Sequence, residues 1–122
     1  QMIQSLRAHH ISPILLTLPP IDADRYFAWF TQKGGLDQNR ILRWLGDVQM
    51  IYRYQELYSE TVIKLAYQTN CPLVDVRSAF LDKRNYRDLL CEDGIHPNEN
   101  GYRLLYEALL CDYQTHTQYC MA

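Results

Sequence analysis

The sequence predicts an α/β fold built on a parallel sheet. Two near-continuous apolar runs and the helical periodicity between them carry this expectation. Ile14-Leu15-Leu16-Thr17-Leu18 follows Pro13 and is stopped by Pro19-Pro20. Leu73-Val74-Asp75-Val76 follows Pro72 and ends near Arg77-Ser78. Neither run alternates apolar with polar residues, which suits strands of a sheet covered on both faces. Strand, helices and strand form a βαβ unit, whose crossover should be right-handed.

The elements follow in chain order. Residues 1–9 read as the tail of a helix feeding the first strand. The stretch from Ile21 to Gly35 is irregular. Its aromatic cluster, Tyr26-Phe27-Ala28-Trp29-Phe30, is placed as a short helix over the sheet edge. Ile41, Trp44, Leu45, Val48 and Ile51 give a helical stripe weakened at Gly46. Tyr54, Tyr58, Val62, Leu65 and Ala66 continue at helical spacing, and Asn70 with Pro72 closes that helix. Tyr102, Leu105, Tyr106 and Leu109 share a face of a last helix, capped by Asn98 or Asn100. There is no internal repeat and no linker, so residues 1–122 are read as one domain.

Composition narrows the function classes. A net charge of −2 over 122 residues offers no basic surface for nucleic acid or an anionic membrane. No apolar run is long enough to span a bilayer. Cys71, Cys91, Cys111 and Cys120 contain no C-x-x-C, which argues against a zinc knuckle or a redox pair. They are expected to be reduced thiols, with a Cys111–Cys120 bridge left open. His9-His10, and His116 with Asp112, find no further ligands nearby, so no metal is expected. No secretory leader is read at the N-terminus, which favours a cytoplasmic over a secreted protein. The chain starts at Gln1, as a processed protein or as a piece of a longer one.

Two strands make a poor sheet, because independent sheets want three or more. A bare apolar edge invites pairing with another chain. The expectation is that more of the domain lies upstream, or that the chain dimerises through this edge.

The segment richest in chemistry is Asp93-Gly94-Ile95-His96-Pro97-Asn98-Glu99-Asn100-Gly101-Tyr102. Asp three residues before His, with Gly between them, puts both on one tight turn. The carboxylate there accepts from the imidazole Nδ1–H and leaves Nε2 as a general base. Pro97 keeps His96 out of helical conformation, on the loop before the last helix. The spacing alone equally describes a capped turn.

The run DGIHPNENGY resembles the last motif block of the SGNH hydrolases, the GDSL lipase/esterase family. The element order is similar over residues 3–110. The resemblance implies a partial flavodoxin-like three-layer α/β/α fold: the fourth and fifth strands, crossover helices and C-terminal helix of the family's domain. It implies hydrolysis of an ester or thioester, with Asp93 and His96 as triad acid and base and no metal or organic cofactor. The family's nucleophile lies in a Gly-Asp-Ser motif, and its oxyanion hole adds a Gly and an Asn. None of these is present; Ser5, Ser12, Ser59 and Ser78 lack the Gly-Asp context. The chain therefore reads as the C-terminal portion of such a domain, inactive alone. Its expected partners are the missing N-terminal half and a small ester, acyl or acetylated carbohydrate. A non-catalytic module that binds through the unpaired edge is the competing reading.

Several residues carry secondary expectations. Asp22 and Asp24 follow a strand's C-terminal end, where α/β sheets bind ligands. With Tyr26, Trp29 and Phe30 they line an acyl or sugar pocket, or merely pack over the sheet edge. Asp75, near a strand end, needs a partner and is expected to bond loop N–H groups. Cys91 approaches His96 only if the turn folds back on itself. Tyr52, Tyr54 and Tyr58 form a half-buried helix face or a surface for another chain.

Overall fold

The computed structural model describes residues 1–120, with side chains through Thr115. Helix α1 (Met2–Ala8) leads to strand β1 (Leu15–Leu16). Helices α2 (Ala23–Lys33), α3 (Gln38–Leu45) and α4 (Gln49–Thr69) follow. Strand β2 (Leu73–Val74), helix α5 (Val76–Leu81), a 3-10 turn (Tyr86–Leu89) and helix α6 (Glu99–Cys120) complete the chain. His116 and Cys120, invoked above for a metal and a disulfide, lie outside the described side chains. No helix among the described residues is long and apolar enough to cross a membrane.

The two strands pair in parallel, Leu15 with Leu73 and Leu16 with Val74. Side chains alternate across the ribbon. Leu16 and Val74 join a core with Val76, Phe80 and Leu90, over which Leu104, Leu105 and Leu109 of α6 pack. Leu73 lies on the other side, with Ile63, Ala66 and Tyr67 of α4. Helices thus cover both faces, as the continuous apolar runs require. The result is a partial α/β domain, mostly helical, with a small parallel sheet.

Three elements depart from the sequence expectation. Both strands are shorter than their apolar runs. The second stops because Asp75 caps a helix: its side chain accepts from the Ser78 N–H at 3.1 Å, and Val76 already lies in α5. Ile21–Gly35 is not irregular. Asp22 caps α2 by accepting from the Arg25 N–H, and α2 packs against α4 rather than over the sheet edge. The stripe through Gly46 is not one helix. Gly46 takes φ +84°, and α3 and α4 separate there.

Arg77 knits the layers. Its backbone N–H donates to Thr17 Oγ1 at 2.8 Å. Its buried guanidinium donates to the Leu18 carbonyl and the Tyr52 hydroxyl, and pairs with Glu56. The start of α5 is thereby fixed to β1 and α4.

The outer edge of β1 carries no strand among the described residues. Leu15 and Thr17 donate toward β2, to the Pro72 and Val74 carbonyls at 2.9 and 3.0 Å. Peptide groups alternate direction along a strand, so those of Ile14 and Leu16 face outward. The Leu18 N–H on that edge is taken by Ser59 Oγ at 3.3 Å.

Candidate active site

The loop between the 3-10 turn and α6 folds back on itself. Leu90 bridges Pro97 antiparallel, the Cys91 N–H donates to the His96 carbonyl at 2.7 Å, and the Asn98 N–H donates to the Leu89 carbonyl at 2.9 Å. Residues 91–96 form the closed end. Asn98, not Asn100, caps α6 by accepting from the Gly101 N–H at 3.1 Å.

Within this loop one carboxylate does two jobs. Asp93 Oδ1 accepts from the Ile95 and His96 N–H groups, each at 3.1 Å. Asp93 Oδ2 lies 2.6 Å from His96 Nδ1. The capped turn and the imidazole–carboxylate pair, alternatives in the sequence, are the same structure. An ionised carboxylate only accepts, so Nδ1 carries the proton and Nε2 of the neutral ring is bare. Burial pushes the Asp93 carboxyl up. Its bonds from the His96 ring and the two backbone N–H groups, with the attraction of the imidazolium, outweigh this and hold it below the usual value. The Asp93 side chain is 14% exposed and that of His96 70%. The pair is therefore anchored at the carboxylate and presented at the ring.

The loop is clamped to the start of α2. The Asp22 N–H donates to the Gly94 carbonyl at 2.8 Å. Arg25 Nη1 reaches the carbonyls of Arg87 and Cys91 at 3.1 and 3.2 Å. Gly94 takes φ +71°, and a Cβ there would stand 2.8 Å from the Asp22 carbonyl oxygen and 2.9 Å from the Tyr26 nitrogen. Only glycine allows this approach.

No serine hydroxyl bonds the His96 ring among the described residues. Ser59 is buried and accepts from Leu18, while Ser78 Oγ donates to Asp75 at 2.6 Å. Ser5 lies in α1, and Ser12 is exposed between α1 and β1.

The profile of the GDSL-like lipase/acylhydrolase family matches residues 1–104. This chain belongs to that family. No curated protein matches it. Membership makes an acylhydrolase the kind of protein to which the loop belongs, and it agrees with the α/β architecture.

The remaining candidate residues are distributed as follows. Asp22 is not among the residues lining the cleft beside the loop. It is 5% exposed, caps α2 and faces Arg25 and Arg87 at 3.5 and 3.8 Å. Tyr26 lines a cleft of about 400 Å³ beside the loop, together with Ile21 and Ile95. Trp29 is not among the cleft's lining residues; Trp44 of α3 stands there instead, with Tyr54 and Tyr58 of α4. Asp75 accepts from Thr17 Oγ1 as well as from Ser78. Burial raises its carboxyl, but these bonds prevail and hold it below the usual value. The fold-back needed to bring Cys91 toward His96 exists, yet Cys91 Sγ is 3.5 Å from the Pro97 carbonyl. No group of three His, Cys, Asp or Glu suited to a metal occurs among the described residues. Sequence reasoning missed Arg25 and Trp44. Nothing local marks Arg25, and Trp44 was read only as part of an apolar stripe.

Proposed function

We propose that this chain carries the acid–base half of a serine-type ester hydrolase. His96 Nε2 takes the proton of a hydroxyl nucleophile as it attacks the ester carbonyl, and returns it to the leaving alcohol. Asp93 holds the ring through Nδ1 and stabilises the imidazolium between those steps. The nucleophilic serine and the oxyanion donors come from outside these 122 residues. The outer edge of β1 suits the segment that brings them: if β1 and β2 are the fourth and fifth strands of a 2-1-3-4-5 sheet, the third pairs there. The substrate class is a small ester, acyl or acetylated carbohydrate.

The observation that carries this reading is the 2.6 Å contact of His96 Nδ1 with a carboxylate fixed by two backbone N–H groups. Nitrogen-15 NMR of the imidazole tests it. The expected neutral form of His96 is protonated at Nδ1, and Asp93→Asn lowers that population. A neutral ring protonated at Nε2 in the unaltered chain contradicts the assignment.

The outward peptide groups of β1 favour a second reading, a non-catalytic module that pairs through this edge with a partner or with itself. Light scattering over a concentration series tests self-pairing. A dimer supports it, and a constant mass of 14.5 kDa removes it.

A further inference from the structure

We infer that Arg25, aimed by the buried Asp22 carboxylate, is a positioning residue for the reaction: it sets the His96 loop, and with it the general base, against α2. This deepens the hydrolase reading and rests on it. Three backbone carbonyls converge on one nitrogen of the guanidinium. Those of Arg87, Leu90 and Cys91 lie 3.1, 3.4 and 3.2 Å from Arg25 Nη1. Carbonyl oxygens carry partial negative charge, so three gathered at one point repel one another unless a cation stands among them. Arginine suits this place, because its charge is permanent and its donors are held in a rigid fork.

The grip reaches the base through the backbone. Cys91, whose carbonyl Arg25 holds, donates its own N–H to the His96 carbonyl. Leu90, also held, bridges Pro97. Arg25 therefore grips the strand that pairs with His96 and Pro97. Asp93 fixes the ring within the loop, and Arg25 fixes the loop within the fold. Asp22 completes the arrangement. Its Oδ1 accepts from the Arg25 N–H at 3.1 Å, and its Oδ2 stands 3.5 Å from Arg25 Nη2 and 3.8 Å from Arg87 Nε. A buried carboxylate needs such paired charge, so it holds the guanidinium in place. The Asp22 N–H meanwhile bonds the Gly94 carbonyl at the closed end of the loop. The loop is thus attached to the first turn of α2 at two points, its tip and its root. With the root released, it can pivot about Gly94.

The test reads the base by NMR in the full chain, so it does not depend on a nucleophile. Arg25→Gln removes the charge and the fork. Arg25→Lys keeps the charge, and Asp22→Asn keeps the acceptor that caps α2 while removing the charge that aims Arg25. In Arg25→Gln, hydrogen exchange at the Cys91 amide should quicken at least about fivefold, the equivalent of one lost hydrogen bond. The ratio of Nδ1–H to Nε2–H forms of the neutral His96 ring should fall by a similar factor, because the turn that holds Asp93 opens with the strand. Asp22→Asn should move both readouts in the same direction. Arg25→Lys should lie closer to the unaltered chain than Arg25→Gln does. Exchange at the Ala66 and Phe80 amides should not change, whereas a general loss of stability would quicken it. A ring protonated at Nε2 in the unaltered chain would overturn the hydrolase reading and this role with it. A ring protonated at Nδ1 whose ratio is indifferent to Arg25→Gln would overturn the role of Arg25 alone. So would a quickening shared by Ala66 and Phe80, or an Arg25→Lys chain no closer to the unaltered one than Arg25→Gln.

Discussion

Gly94 ties the chemistry of the loop to its support. It separates Asp93 from His96, adopts a left-handed φ, and brings its backbone against the first turn of α2. Gly94→Ala combines an unfavourable φ with contacts under 3 Å to backbone atoms that cannot yield. A loss of about 2 kcal/mol in urea unfolding is expected, with broadened His96 resonances as the loop leaves α2. Unchanged stability would mean that the clamp carries no weight. This part of the site was legible in the sequence because Asp93 and His96 meet within one turn. Arg25 was not, since its carbonyl partners lie more than 60 residues away and only the tertiary fold brings them together. The surroundings of Asp22 were hidden for a related reason. Its place after a strand suggested a ligand, and its arginine neighbours could not be seen.

At the scale of elements, short polar side chains decide where strands and helices stop. Leu73-Val74-Asp75-Val76 has the apolar character of one strand, and its type and its parallel partner were both readable. Its end was not, because a capping carboxylate competes with strand pairing. Asp75 binds Ser78 and Thr17 at once, joining α5 to the end of β1. Its carboxyl is held below the ordinary 3.8, so the unfolded chain takes up the proton first. This contribution to stability is complete above about pH 4 and is lost as pH falls through the lowered value. Asp93 has the same sign. Thermal melts should therefore fall in Tm below pH 4, and Asp75→Asn should flatten that decline while lowering Tm at pH 7. A parallel decline in both proteins would exclude Asp75 as its source. Gly46 shows the same limit for helices: the stripe across it was visible, but the positive φ that splits it was not.

For the whole molecule, what was legible is the βαβ frame, with apolar runs covered on both faces. Among the described residues the sheet it supports has two strands and an outward-facing edge, a marginal arrangement without further cover. The distribution of chemistry follows the same division. The His96–Asp93 pair is assembled and anchored, while Ser59 and Ser78 bond other groups and Ser5 and Ser12 make no bond to the His96 ring among the described residues. Members of a triad act as a unit, and losing the nucleophile alone costs roughly 10⁶-fold in one protease. On the proposed reading these residues hold the acid–base half of an acylhydrolase site and not the whole. Hydrolysis of a short p-nitrophenyl ester by this chain, beside His96→Ala, tests it most directly. No saturable turnover is expected in either protein, only the slow cleavage that free imidazole also gives. Saturable turnover that His96→Ala abolishes would contradict it and place a nucleophile within these 122 residues.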